Sequence, residues 1–271
     1  MTRSGPLLTE AQWQKIAPLL PKPSQHRKGG RPWIDNRRVL EGILWILRSG
    51  ARWQDLPEKY PHPSTCWRRL RDWEEQGVWL KIWRTFLGEL NERQQLQWSE
   101  SFLDGSFAPA KKGALESGKP SGARGRSGWW WSTAAVFLWE TTFTLHPRRK
   151  SSSRETTLAA IRVGRTHHAG RPRQKPLRVI ADKAYDSDPL RHRLQIRGIE
   201  LICPHKKNRV RAATQDGRAL RRYKRRWIVE RTNAWLGNFR RLVVRYDRSL
   251  KIYGAFFHIA CFMIVLRRVV Q

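Results

Sequence analysis

Residues Leu177 to Asn208 read LRVIADKAYDSDPLRHRLQIRGIELICPHKKN, and they decide the fold. Leu177–Ala181 is a short apolar run with the composition of a buried strand. Ser187 or Asp188 then caps a helix that carries Pro189 in its first turn, a position where proline's missing N–H costs nothing. Gly198 closes the helix, and IELIC follows as a second apolar run. Strand, helix, strand at this spacing predicts a βαβ unit with parallel strands and a right-handed crossover. Asp182 therefore falls at the carboxyl end of its strand, where open α/β sheets bind ligands.

Downstream lies ALRRYKRRWIVERTNAWLGNFRRL, which has the length of a long helix. Tyr223, Trp227, Glu230 and Ala234 recur at helical spacing, so they are expected to share the face toward the sheet. A carboxylate on an inward face needs a cation. Glu230 is thus either an ion-pair partner of Arg226, four residues earlier, or a metal ligand. Upstream, SFLDGS is an apolar run that ends in Asp104 and Gly105. Taken singly, Asp104 reads as a turn residue and Asp182 as a cap. Taken together, an Asp after an early strand, an Asp after a later strand and a Glu on a following helix can converge at one sheet edge. Such hard oxygen ligands suit magnesium, or manganese in its place, and a pair of such ions can promote phosphoryl chemistry.

The first ninety or so residues read as helical. Thr9 caps a helix with Trp13, Ile16, Leu19 and Leu20 on one side, and Pro21 and Pro23 end it. Asp35 opens an amphipathic helix with Val39, Leu40, Ile43, Leu44 and Leu47 at helical spacing, and Gly50 stops it. Pro63 and Ser64 start another, in which Trp67, Leu70 and Trp73 are expected inward and Arg68, Arg69 and Arg71 outward. Two helices with arginines on the second suit a helix-turn-helix entering a major groove; a plain helical bundle with a solvated basic face fits the same residues.

Lys and Arg number 54 against 22 Asp and Glu, a formal charge of +32 spread along all 271 residues. A fold with that much like charge calls for a polyanion, and nucleic acid is the natural one. Cys66, Cys203 and Cys261 lack metal-ligand spacing and read as buried thiols in a reducing cytoplasm. His167 and His168 read as loop. No signal peptide is legible at the start. The apolar run AFFHIACFMIVL (Ala255–Leu266) is too short to span a bilayer and reads as a buried element. No membrane association is expected.

The text FLDGS around Asp104, VIADKAYDSDPLR around Asp182 and YKRRWIVERTNAWLGNFRRL around Glu230 resembles the DDE transposases of bacterial insertion sequences, of the insertion sequence five type. Tyr223, Arg226 and Glu230 match that family's Tyr-x2-Arg-x3-Glu signature; Gly237 stands where its Lys would be, so the grip of that Lys on end phosphates does not carry over. LTEAQWQKIAPLLP and GARWQDLPEKYP are similar to the family's helical DNA-binding domain. The resemblance implies a helix-turn-helix-like domain over residues 1–95 and an α/β, ribonuclease H-like catalytic domain with a mixed sheet flanked by helices over residues 96–271. It implies metal-dependent cleavage of phosphodiester bonds at transposon ends, followed by strand transfer into target DNA. Asp104, Asp182 and Glu230 become the Mg2+ ligands, with Tyr223 and Arg226 orienting the Glu helix or the end DNA. Arg68, Arg69 and Arg71 are candidates for gripping duplex DNA, and Lys206, Lys207 and Arg209 for phosphates near the site. A homodimer on double-stranded DNA, in the cytoplasm, is implied by resemblance alone. A non-catalytic DNA binder derived from a transposase is the alternative, and a general RNA binder leaves the three acids unexplained.

One stretch departs from this pattern. Ser127–Glu140 reads SGWWWSTAAVFLWE, where a ribonuclease H-like fold needs a hairpin beside the Asp104 strand. Trp has the single codon TGG, and TGGTGGTGG read one base earlier encodes an apolar residue, Val and Val. In that frame Thr133 to Val136 become small and polar, which gives a strand, a turn and a second strand. One base lost near Lys119 and one regained near Arg154 would leave residues 120–154 out of frame. On that reading the hairpin is missing and the sheet is weakened at its middle; the competing reading is an insertion whose tryptophans stack on bases.

Overall fold

The computed structural model describes residues 7–22, 33–109, 125–133, 138–144, 163–164 and 175–271, with backbone only for 104–109, 125–133 and 138–144. His167 and His168 lie outside the described residues. The chain divides into two units, the first built from residues up to Phe86 together with Gly237–Gln271, the second mainly from Leu87–Ala110 and Ser117–Leu236.

The first unit is helical. Helix α1 (Glu10–Ile16) is capped by Thr9, whose hydroxyl accepts from Gln12 N while the Gln12 side chain returns a bond to Thr9 N. Helix α2 (Asn36–Ser49) starts at Asp35 and stops at Gly50, which sits at φ +71, a conformation open to glycine. Val39, Leu40, Ile43, Leu44 and Leu47 are all buried, as their spacing predicts. Helix α3 (Pro63–Glu75) crosses α2 closely: a Cβ on Gly42 would come within 3.0 Å of Cys66 Sγ. The segment Gly50–His62 joins α2 to α3, including a 3-10 turn at Trp53–Asp55. It is far longer than the three or four residues of a helix-turn-helix, so the expected motif is not built from α2 and α3.

Helix α4 (Val78–Glu92) follows α3 after a tight turn at Gly77, φ +69. The unit's centre is the chain's last helix, which we label α7 (Leu250–Val269). Phe256 stacks on Trp53 at 6.0 Å, and Phe262 on Trp79 at 6.1 Å and edge-on to Phe86 at 6.3 Å. Two expectations are corrected here. A single cut near residue 95 does not separate the units, because both ends of the chain pack into the helical one. The helix is also longer than its apolar run: at 20 residues, with mean hydropathy 1.6, it could cross a membrane by length and composition, yet 72% of its 18-residue apolar window is buried, as in a core helix. Cys66 and Cys261 are buried free thiols here and Cys203 is one in the second unit; burial pushes the Cys66 and Cys203 thiols up to about 11.

The second unit carries a five-stranded mixed sheet in the order β3-β2-β1-β4-β5. Its strands are β1 (Glu100–Pro109), β2 (Gly125–Thr133), β3 (Leu138–Thr144), β4 (Arg178–Ala181) and β5 (Glu200–Ile202). β1, β2 and β3 are antiparallel neighbours, while β1, β4 and β5 run parallel. Helix α5 (Asp188–Ile196) joins β4 to β5 with Ser187 at its N-cap and Gly198, φ +69, after its end, completing the predicted βαβ unit. The outer edge of β5 is covered by side chains: Arg191 donates to the carbonyls of Leu201 and Cys203, and Gln215 to that of Cys203. That leaves less open edge for another strand to join.

The hairpin judged missing is present. β2 and β3 occupy the Trp-rich stretch as translated, with Trp129, Trp130 and Trp131 paired to Gly105, Asp104 and Leu103. Ladder bonds are made by backbone, and Trp, Phe and Thr are all strand formers. A register shift between Trp130 and Ser132 bends the β2–β3 pairing.

Candidate active site

The register between β1 and β4 sets the site. Leu103 pairs with Ala181, so Asp104 and Asp182 are the next residues on adjacent parallel strands, at the same level beyond the last pair. Asp182 is half-buried and caps the 3-10 turn Lys183–Tyr185: its Oδ1 accepts from Ala184 N at 2.8 Å. Its Oδ2 has no hydrogen bond among the described residues.

Helix α6 (Trp227–Gly237) brings Glu230. Ile228 and Val229, just before it, are buried in one cluster with Phe102 of β1 and Ile180 of β4. Phe102 and Ile180 each precede a site aspartate by two residues, so positions 104 and 182 belong to the sheet face on which α6 packs. Glu230 is itself exposed.

The helix face differs from the expected one. Ile228, Val229, Thr232 and Leu236 are buried, whereas Glu230 and Ala234 are exposed and Trp227 is 53% exposed. The tryptophans instead embrace a cation, with the Arg231 guanidinium 4.8 Å from the Trp227 ring and 5.0 Å from that of Trp235. Periodicity alone does not choose between faces when both carry aromatic residues. Tyr223 lies on the preceding 3-10 helix (Arg221–Arg226) and packs against the same cluster, and Arg226 is half-buried.

That 3-10 helix is tied down by an acid the spacing does not reveal. Glu100, 4% exposed at the start of β1, accepts from Arg222 at 2.9 Å and Arg225 at 2.5 Å. A second such acid is Asp186, whose side chain is 3% exposed. Its Oδ1 meets His205 Nδ1 at 2.9 Å and Arg191 at 3.0 Å, and its Oδ2 accepts from Lys206 N at 2.9 Å. Burial alone would raise its pKa; the Lys206 N–H, His205 and Arg191 outweigh that and hold the carboxyl at about 2. Both acids sit among many others in the text, and only the fold distinguishes them.

The predicted DNA contacts divide. Lys206 and Lys207 are exposed. Arg209 is committed within the unit, 2.9 Å from Asp188 and bonded to the carbonyls of Arg211 and Ala212. In the helical unit Arg68 is exposed and bonds back to Ser64. Arg71 is half-buried against Asp72 at 2.7 Å. Arg69 does not point outward: it donates to Asn36 at 2.6 Å and to the Ile34 carbonyl, and it lies 3.6 Å from the Trp33 ring centre. Trp67, expected inward, is half-buried, and Cys66 takes the inward place beside Leu70 and Trp73. Lys22, Trp33, Arg68 and Arg69 line a groove of about 550 Å³.

Two aspartate positions at one level on adjacent strands, and a glutamate on a helix packed on the sheet, supply carboxylates, the hard-oxygen residue type that magnesium takes. Among the described residues no group of three His, Cys, Asp or Glu is gathered tightly enough to hold a metal, and the Asp104 side chain lies outside that description.

The sheet order, the crossover and the place of the acids define an α/β protein of the ribonuclease H-like class that carries a helical unit. Residues 8–83 match the family described as "Putative transposase of IS4/5 family (DUF4096)", and residues 140–266 match "Transposase DDE domain". The "Insertion element IS402 uncharacterized 16.2 kDa protein" of Burkholderia cepacia is 41% identical over 105 residues, covering 37% of this chain and 71% of that one. The "Putative transposase for insertion sequence element IS402" of the same organism is 43% identical over 105 residues, covering 38% of this chain and 46% of that one. The piggyBac transposase, in its synaptic complex with hairpin DNA, superposes with a TM-score of 0.49 at 10% identity, over 97% of this chain and 72% of that one. The chain belongs to the DDE transposases of insertion sequences. Its class of work is DNA transposition and recombination. The second match takes in Asp182, Tyr223, Arg226 and Glu230 and begins after Asp104.

Proposed function

We propose that this chain acts at the ends of its insertion sequence, cutting phosphodiester bonds with divalent metal held by Asp104, Asp182 and Glu230 and then joining the freed end to target DNA. The observation that carries this reading is the β1–β4 register, which makes the two aspartates neighbours on the face covered by the Glu230 helix. Magnesium or manganese, when bound, supplies Lewis acidity to the phosphate and lowers the pKa of the attacking water or hydroxyl. The three carboxylates hold that charge in place. Tyr223 and Arg226, about two turns and one turn before Glu230 respectively, set the helix against the sheet or the end DNA. Lys206 and Lys207 take phosphates beside the site, and Arg68 and Arg71 take duplex DNA on the helical unit. A homodimer pairing two ends is part of the same proposal.

The compensated frameshift over residues 120–154 is a proposal about codons alone, since the hairpin it was meant to restore forms without it. The gene's nucleotide sequence tests it: a shifted frame that encodes no alternating strand pattern sinks it.

The functional test is cleavage of DNA carrying the element's own ends in Mg2+ or Mn2+, run on this chain, on Asp104→Ala and on a frame-restored version. Cleavage by this chain that is lost by at least about a hundredfold in Asp104→Ala supports the reading. End-specific binding with no cutting by this chain, beside cutting by the restored one, makes it a DNA binder of transposase descent.

A further inference from the structure

We infer that Asp186 is a positioning residue for Asp182, acting through the 3-10 turn that joins them. The inference rests on the reading of Asp182 as a metal ligand.

Asp182 and Asp186 are the two ends of one short turn. Asp182 caps it through Ala184 N and accepts from Tyr185 N with its carbonyl, and Asp186 N closes it on the Lys183 carbonyl. The turn's own hydrogen bonds are few and poorly aligned, and its buried Tyr185 side chain anchors only its middle. Its far end is fixed from outside. The Asp186 carboxylate is held from α5 by Arg191 and, from the segment after β5, by His205 and the Lys206 N–H. The Arg209 guanidinium adds its charge at 3.6 Å. Thr214 N donates to His205 Nε2 at 3.1 Å, which leaves the proton on Nδ1, facing Asp186. Arg191 also bonds the β5 carbonyl of Leu201, so the network is anchored on the sheet.

Among the described residues Asp182 thus has one oxygen engaged by the turn and one without a hydrogen bond, and its rotamer depends on the turn. Groups that hold a metal-binding side chain in this way commonly change metal affinity about 10–100-fold when removed. A role confined to holding the 203–216 segment predicts no change in metal binding at all.

The test uses the full-length chain and two readouts. Mn2+ binding is followed by the electron paramagnetic resonance of the free ion, and exchange of the Ala184 amide reports the cap. Asp182→Ala is expected to abolish the tightest Mn2+ site. Asp186→Asn is expected to weaken it about tenfold or more and to speed Ala184 exchange, with transposon-end binding unchanged. His205→Ala removes one of the bonds to Asp186, along with the acceptor of Thr214 N, and serves if Asp186→Asn does not fold; its weakening should be smaller and in the same direction. Unchanged Mn2+ affinity in the folded Asp186 or His205 variant, beside a defective Asp182→Ala, overturns the inference alone. Unchanged affinity in Asp182→Ala, or no tight site in the unaltered chain, overturns the reading beneath it.

Discussion

Asp186 and Arg69 show how far a side chain's role depends on what surrounds it. Both look like surface charges in the text. Asp186 ends almost fully buried among two cations, an imidazole and a backbone donor, and Arg69 ends over the Trp33 ring with one acceptor at the start of α2 and another, the Ile34 carbonyl, just before it. For Asp186 this has a consequence in acid. Its folded carboxyl titrates at about 2, below the ~3.9 of an unfolded Asp. The unfolded chain therefore takes up this proton first as pH falls. The stabilisation is present in full above ~3.9 and is lost as pH drops through about 2. Urea midpoints of the unaltered chain and Asp186→Asn should differ most near neutral pH and converge between about pH 4 and pH 2. A difference that stays constant through that window would remove the ionised carboxylate from the account.

At the scale of elements, the βαβ unit was legible because strand, cap, proline, helix and glycine agree locally on one answer. The caps of α1 and α2 were legible for the same reason. The packed face of α6 was not: Tyr223 does pack against the cluster, but Trp227 and Ala234 turn outward and the fold uses Ile228, Val229, Thr232 and Leu236. Asp104 and Asp182 keep neighbouring places in the sheet regardless, because strand register fixes them. The β2–β3 hairpin was missed because WWWST carries no alternation and no turn signal, yet it has the β propensity to pair. β2 lies between β1 and β3, with Trp130 opposite Asp104 on one side and Thr141 on the other. Proline cannot donate to a ladder and is excluded from central strands. Trp130→Pro should therefore cost at least about 1–3 kcal/mol and expose the Phe102 and Leu103 amides to exchange, while the helical unit keeps its melting transition. Protected β1 amides in that variant would take β2 out of the sheet and return structural weight to the frameshift.

At the scale of the whole molecule, the chain's order and its architecture part company. The helical unit takes residues from both the early and the late parts of the chain, and the sheet unit takes most of those from Leu87 to Leu236. No local pattern announces this, since a long apolar helix such as α7 fits equally well behind a sheet. Its partners settle the matter: Phe256 and Phe262 are fully or almost fully buried against Trp53, Trp79 and Phe86 of the N-terminal part. The segment before α7 adds a buried pair, Arg241 with Asp247 at 2.9 Å, and Arg241 also donates to the Ala51 carbonyl beyond α2. Loss of a single large core side chain costs about 3–5 kcal/mol, and α7 carries several. A chain ending at Leu236 should therefore lose cooperative melting of its α1–α4 helices and, with it, specific retention of transposon-end duplex, although its high positive charge would still draw it to DNA at low salt. The check is near-ultraviolet circular dichroism on heating, with end-duplex binding compared at two salt concentrations. A sharp helical transition in the shortened chain would mean that α1–α4 close a core of their own, and that the return of the C-terminal helix serves some purpose other than completing the helical unit.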